Sequence, residues 1–303
     1  MRTIVSVILI LMTVSGCGLA GERPASPVRV RDRRSELSRG KPSYTVRSNI
    51  SYARAGSVKL LLDSYLPTGK GPFPAVLVVH GGAWASGGKT QLAPYAIGLA
   101  ANGFAAFAIN YRLAPRYKFP AQIDDCRSAV RWIREHAADY RVDPERLGAV
   151  GYSAGGHLVT LLGVTGKKGD PKTETTDTRL QAIVAGGAPC DFRSIPARSS
   201  LLAFWLGGTR QQFPARYRTA SPAAFVTATA PPMFFFSGER DRIVPSSSPR
   251  AMVQALKAAH DEADIYIVPN ATHMAAVFNR EALLRGMTFL KKHLKRTSQR
   301  KPR

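Results

Sequence analysis

Hydrophobic and polar positions along the chain follow one pattern before residue 70 and another after it. Tyr44–Tyr52 and Val58–Leu66 alternate around the short break Ala53–Ser57. Two alternating runs about such a break predict an antiparallel hairpin at a sheet edge, packed on one face only. Pro67–Pro74 is a turn cluster. Continuous apolar runs follow, the mark of strands covered on both faces: Ala75–Val79, Ala105–Ile109, Leu147–Val150, Ala182–Ala185, Met233–Phe236 and Ile265–Val268. Helical patterns lie between and after them, at Pro94–Ala101, Ile123–His136, Ala154–Gly163, Pro249–His260 and Arg280–Leu294. Strands and helices in alternation predict an α/β fold with a mostly parallel, doubly wound sheet, the antiparallel hairpin at its N-terminal end.

One stretch breaks the rhythm. Residues 188–232 show no clear strand, only short apolar pieces such as Leu201–Leu206 and a proline-rich exit. An insertion of that length is expected to be a short, partly apolar helical lid over a site, without a core of its own.

The front of the chain carries different signals. Arg2 followed by the apolar run Ile4–Leu11 predicts a signal segment over residues 1–16, too short to span a bilayer comfortably. Val14-Ser15-Gly16-Cys17 resembles a bacterial lipobox, which implies cleavage before Cys17 and lipid on its sulfur. The alternative is plain secretion with a cut near Ala20. Residues 17–43, rich in Pro, Arg and Ser, are expected to form a flexible tether. In either case the chain is expected in the cell envelope or beyond.

Of the 303 residues, 45% are hydrophobic, enough for a sizeable core. The formal net charge is +23, loaded onto the tether and onto a basic tail at 295–303. Basic residues beside a lipid anchor suit anionic head groups at a membrane surface. Attraction of an acidic polysaccharide is a second use, and general solubility a third. Nucleic acid is not an expected partner, since no aromatic residues interleave with the basic ones. Cys126 and Cys190 are expected as buried thiols, with a disulfide as the alternative an exported protein allows.

Candidate chemistry gathers at predicted strand ends. Gly151-Tyr152-Ser153-Ala154-Gly155 is a G-x-S-x-G nucleophile elbow, in which Ser153 stands at a strained strand-to-helix turn. His80-Gly81-Gly82-Ala83-Trp84 follows the strand Ala75–Val79, and its Gly82 and Ala83 N–H groups, with that of Ala154, are candidates for an oxyanion hole. His80 is expected to tie the loop down. Trp84 and Tyr152 are candidates to line the substrate pocket, with packing beneath the loop as the alternative for Trp84. Asp241 and His273 follow the last two strands in the order acid, then histidine, with Glu239 the nearby rival for the acid. No His/Cys cluster has metal-ligand spacing, and no metal or other cofactor is expected.

Gly81-Gly82, the elbow, Asp241 and His273 together resemble the α/β-hydrolase superfamily. Asn110–Pro115, Phe119–Asp125 and Val142–Arg146 are similar to the hormone-sensitive-lipase-like carboxylesterases, and the short lid with His80–Trp84 is similar to their feruloyl and acetyl-xylan-type branch. The resemblance spans residues 44–294. It implies an α/β-hydrolase domain acting as a serine carboxylesterase on small or carbohydrate-linked esters (acetyl, feruloyl or short-chain acyl), with Asp125 a structural carboxylate. Ala83, where many relatives carry a third glycine, is a departure that keeps the N–H. Amide cleavage, or a non-catalytic cell-surface binding protein of the same fold, are the alternatives; oligomeric state is left open.

Overall fold

The computed structural model describes residues 43–169 and 177–294. The expected signal segment 1–16, lipidated Cys17 and basic tail 295–303 lie outside the described residues, as does the tether except for Ser43. No helix among the described residues is long and apolar enough to cross a membrane.

Eight strands form one sheet: β1 (Tyr44–Ala55), β2 (Val58–Pro67), β3 (Phe73–Val79), β4 (Ala105–Ile109), β5 (Val142–Tyr152), β6 (Ala182–Gly186), β7 (Met233–Gly238) and β8 (Ala263–Val268), in the spatial order β1-β2-β4-β3-β5-β6-β7-β8. The β1–β2 hairpin is antiparallel and β2 meets β4 antiparallel; every pairing from β4 to β8 is parallel. Leu77 pairs with Phe107 on one side and with Ala149 on the other. The continuous apolar runs have their cause in this burial. Ala75, Leu77 and Val79 point into one core and Val76 and Val78 into the other.

Helices cover both faces: α1 (Ala93–Ala101), α2 (Ala121–Glu135), α3 (Ala154–Thr165), α6 (Ser247–Ala258) and α8 (Arg280–Leu294). Two short helices, α4 (Ala203–Leu206) and α5 (Pro214–Thr219), lie in the lid, and α7 (His273–Ala276) follows β8. Trp205 and Tyr217 of the lid are fully buried and belong to the same apolar cluster as α2 and α3, so the lid is packed onto the domain core.

Strand β5 begins at Val142, five residues before the apolar run that predicts it. Val142 pairs with Phe73 across a register irregularity. Between them Asp143 makes a local turn, accepting from the Glu145 N–H at 3.0 Å and the Arg146 Nε at 2.8 Å. The polar Asp-Pro-Glu stretch has no partners in the ladder, and the strand is carried across it by the Val142–Phe73 pair on one side and Leu147–Ala75 on the other.

Asp125 on α2 braces the loop after β4. Its carboxylate, 2% exposed, accepts the Arg112 backbone N–H at 2.8 Å and the guanidinium through Nη2 at 2.6 Å. Asp125→Ala would leave a half-buried guanidinium unpaired and a backbone donor unsatisfied. A loss of about 3 kcal/mol in urea denaturation is expected; an unchanged midpoint would refute this account of the loop.

Candidate active site

The parallel pairing brings the C-terminal ends of β3, β5, β6, β7 and β8 to one edge of the sheet, where open α/β folds bind ligands. At the end of β5 the chain turns abruptly into α3. Ser153 sits at that corner with φ 56° and ψ −120°, a conformation an L-residue adopts only under constraint. The constraint is backbone contact. A Cβ on Gly151 would lie 2.3 Å from the Gly155 carbonyl oxygen, and one on Gly155 would lie 2.0 Å from that of Val79. Only glycine lets strand and helix pass at this distance. The Ser153 N–H is tied to the Gly186 carbonyl at 2.8 Å, and its own carbonyl accepts the His157 N–H at 2.9 Å. The main chain is thus fully engaged, while the half-buried side chain has no hydrogen-bond partner among the described residues.

The loop after β3 runs alongside. Gly81 packs so near the elbow that a Cβ there would meet Ser153 Cβ at 3.2 Å. The Gly81 N–H is held by Gln91 Oε1 at 2.9 Å, and the Gly82 carbonyl accepts the N–H groups of Ala85 and Ser86. Neither the Gly82 nor the Ala83 N–H has a partner among the described residues. The N–H of Ala154, the first residue of α3, has none within its helix, where the dipole is positive. Three backbone donors on the two segments that meet at the elbow are therefore without a backbone partner among the described residues. His80 is buried, stacks on Tyr111 at 4.1 Å and bonds the Gly81 carbonyl through Nδ1 at 2.8 Å. It anchors the loop.

Asp241 and His273 meet across the β7 and β8 loops. His273 Nδ1 donates to Asp241 Oδ2 at 2.6 Å. The other oxygen, Oδ1, accepts the N–H groups of Ile243 and Val244 at 3.0 and 2.8 Å, so the buried carboxylate is fixed in place. This bond sets the tautomer, with Nε2 left as the basic nitrogen. The imidazole lies over Gly187, where a Cβ would meet its Cε1 at 2.8 Å; Gly187 directly follows the residue that binds the Ser153 N–H. Among the described residues the ring's hydrogen bond runs to Asp241 alone, and a link from serine to histidine often tightens only when substrate is bound. Glu239, the rival acid, turns outward and accepts the Asn270 N–H at 2.8 Å.

For Trp84 the structure shows the packing alternative, and Tyr152 is buried as well. Trp84 and Tyr152, candidates for the pocket wall, are 5% and 4% exposed. Tyr152 spends its hydroxyl on the His273 carbonyl, and burial next to Asp241 raises its pKa further above the phenol range. It is a strut under the histidine. Trp84 stacks on Trp205 of the lid, with centroids 3.8 Å apart and planes at 1°, because a large apolar ring between lid and helix is better buried than wet.

One residue that the sequence did not single out joins these parts. His157 on α3 accepts the Trp84 indole N–H on Nδ1 at 3.1 Å and donates from Nε2 to the Ala220 carbonyl at 2.7 Å. It connects the loop after β3, helix α3 and the 188–232 insertion, and accepting at Nδ1 requires the neutral ring. Cys126 and Cys190 are buried free thiols whose pKa values burial raises. Among the described residues no three His, Cys, Asp or Glu side chains gather as a metal site.

A parallel sheet with a serine elbow, a histidine and an aspartate at one edge defines the α/β-hydrolase class. The BD-FAE profile matches residues 62–256, and the chain belongs to that family. It is similar to Esterase LipC of Mycobacterium tuberculosis, 33% identical over 216 residues covering 67% of this chain and 53% of LipC. The chain spans about half the length of the curated relatives it matches. Among solved structures, the truncated form of a carbohydrate esterase from gut microbiota superposes with TM-score 0.74 at 26% identity, over 84% of this chain and 98% of that one. The butyrate-bound esterase Est2 of Thermogutta terrifontis does so with TM-score 0.69 at 27% identity, over 83% and 94%.

Burial pushes the imidazoles of His80 and His157 down to about 4, against 6.5 for a free histidine; their backbone hydrogen bonds offset this only in part. A histidine depressed in the folded state stabilises the fold above pH 6.5 and loses that contribution as pH falls toward 4. Each is worth about 3 kcal/mol across this window. Urea stability is expected to fall between pH 6.5 and 4, and His157→Gln to show a shallower slope. A flat profile in the unsubstituted chain would rule this out.

Proposed function

We propose that the chain is a serine carboxylic ester hydrolase working through an acyl-enzyme on Ser153. The observation that carries the proposal is the buried Asp241–His273 hydrogen bond at the same sheet edge as a serine strained to φ 56°. In this reading Ser153 Oγ attacks the ester carbonyl and its proton passes to His273 Nε2. The carbonyl oxygen takes the negative charge and is met by the N–H groups of Gly82, Ala83 and Ala154. Collapse expels the alcohol, which receives the proton from His273, and leaves the acyl group on Ser153. Water, deprotonated by the same nitrogen, then attacks the acyl carbon; the acid departs and Ser153 regains its proton. Asp241 stays ionised throughout and steadies the imidazolium.

What the relatives are called supports ester chemistry. LipC is an esterase, the Thermogutta esterase 2 is phosphonylated by sarin, and the gut neighbour is a carbohydrate esterase. Small acyl groups, acetyl, feruloyl or short-chain, on a small-molecule or carbohydrate alcohol are the substrates we assign. Ser153→Ala is expected to lower p-nitrophenyl acetate hydrolysis by about a thousandfold or more with the fold unchanged by circular dichroism. It should also abolish covalent labelling by a fluorophosphonate. Undiminished turnover in that variant would overturn the assignment.

We also propose export and anchoring through lipid on Cys17, supported by the apolar run Ile4–Leu11 and the small residues that precede the cysteine. Incorporation of a labelled fatty acid is the test. Equal incorporation in Cys17→Ser would reject it.

A further inference from the structure

A cavity of about 760 Å³ opens between the β1–β2 hairpin, the loop 80–90 and the loop after β4. That is within the size of small-molecule sites, about 300–1,000 Å³. Four cationic side chains line it, Lys59, Lys89, Arg112 and Arg116, and no aspartate or glutamate does. Two of them are matched from behind. Lys89 pairs with Asp63 at 2.8 Å and Arg112 with Asp125 at 2.6 Å, and both carboxylates are buried in the wall. Lys59 and Arg116 are exposed and make no ion pair among the described residues. Two unmatched cations on one concave surface raise the potential inside it, and an anion seated there relieves that.

The same cavity adjoins the catalytic loop. His80, Gly87 and Gly88 form part of its wall. The N–H of Ser86, next to Gly87, bonds the Gly82 carbonyl at 2.9 Å, and the N–H of Ala114, another wall residue, bonds the Trp84 carbonyl at 2.9 Å. A group held here is therefore one loop turn from the N–H donors of Gly82 and Ala83. The rest of the lining suits a hydroxyl-rich ligand: Asn49, Thr90 and Asn110 offer amides and a hydroxyl, and the Tyr117 ring lies against the guanidinium groups of Arg112 and Arg116 at 5.7 and 5.3 Å.

We propose that this cavity is a subsite for a carboxylate carried by the ester substrate, with a uronic-acid unit of an acidic saccharide as the matching chemistry. The inference rests on the ester-hydrolase reading and adds to it a substrate class. Lys59 and Arg116 hold the carboxylate, and the ester on the same or the adjoining sugar reaches Ser153 past the oxyanion loop.

The test compares acetylated methyl glucuronoside with acetylated methyl glucoside as substrates of the full chain. The charged glycoside is expected to show a kcat/KM higher by about five- to tenfold. The advantage should shrink as ionic strength rises from about 0.01 M to about 1 M. With Lys59→Gln and Arg116→Gln together, the ratio of the two kcat/KM values falls toward one; being a ratio, it is insensitive to the fraction of folded enzyme. Equal values in the unsubstituted chain, a preference that survives both substitutions, or turnover of p-nitrophenyl acetate but of neither glycoside would each overturn the subsite. Failure to hydrolyse p-nitrophenyl acetate at all would instead overturn the ester-hydrolase reading, so the two failures are distinct.

Discussion

The close passage of backbone against backbone at residues 151–155 is the constraint on which the rest of the structure depends. Gly155 lies against the carbonyl of Val79 at the end of β3, and Gly151 against Gly155 itself, with no room for a methyl group at either place. This forces Ser153 into a left-handed turn and sets the start of α3 against the first residues of the oxyanion loop. Strain of that kind costs of order 1–3 kcal/mol and persists only where the surroundings over-determine it. Here they do: β5 is flanked by β3 and β6, and the Ser153 N–H is bonded to the next strand's end. The sheet is the clamp that keeps the serine in its turn.

Around that corner the carboxylate and the imidazole are held by directed hydrogen bonds. Asp241 accepts three hydrogen bonds, two from the backbone of its own loop and one from His273, which leaves the imidazole one orientation and one tautomer. Tyr152, adjacent to the nucleophile, supports the His273 carbonyl from below and so couples the position of the base to that of the elbow. Among the described residues the backbone N–H groups of Gly82 and Ala83 have no partner, and that of Ala154 has none within its helix. Under the proposed reading, donors already in place when charge develops need little rearrangement to meet it.

The sheet was legible because burial on both faces writes an unbroken apolar run, as in Ala75–Val79 and Met233–Phe236, and because the elbow's glycines are demanded by sterics wherever it occurs. The order Ser153, Asp241, His273 was legible for the same reason, each lying just past such a run. What escaped depends on contacts between segments distant in sequence. The early start of β5 comes from Phe73 lying beside Val142. The burial of Trp84 comes from Trp205, more than a hundred residues on, and a histidine four residues after the nucleophile carries no local mark of being wired at both ring nitrogens. Periodicity reports how a residue faces its own sheet or helix; it does not report which remote ring fills the other side.

Those remote contacts also explain how a departure from the usual glycine-rich loop is tolerated. Ala83 and Trp84 are consecutive non-glycine residues with φ of 51° and 58°, a conformation disfavoured for both. The Trp84 indole is gripped on one face by Trp205 and at its N–H by His157, while its carbonyl accepts the Ala114 N–H. Each contact acts on the residue directly after Ala83, so lid, nucleophile helix and the loop after β4 all hold the same strained turn. The 188–232 insertion thus does more than pack on the core: its Trp205 helps to hold the shape of the loop after β3.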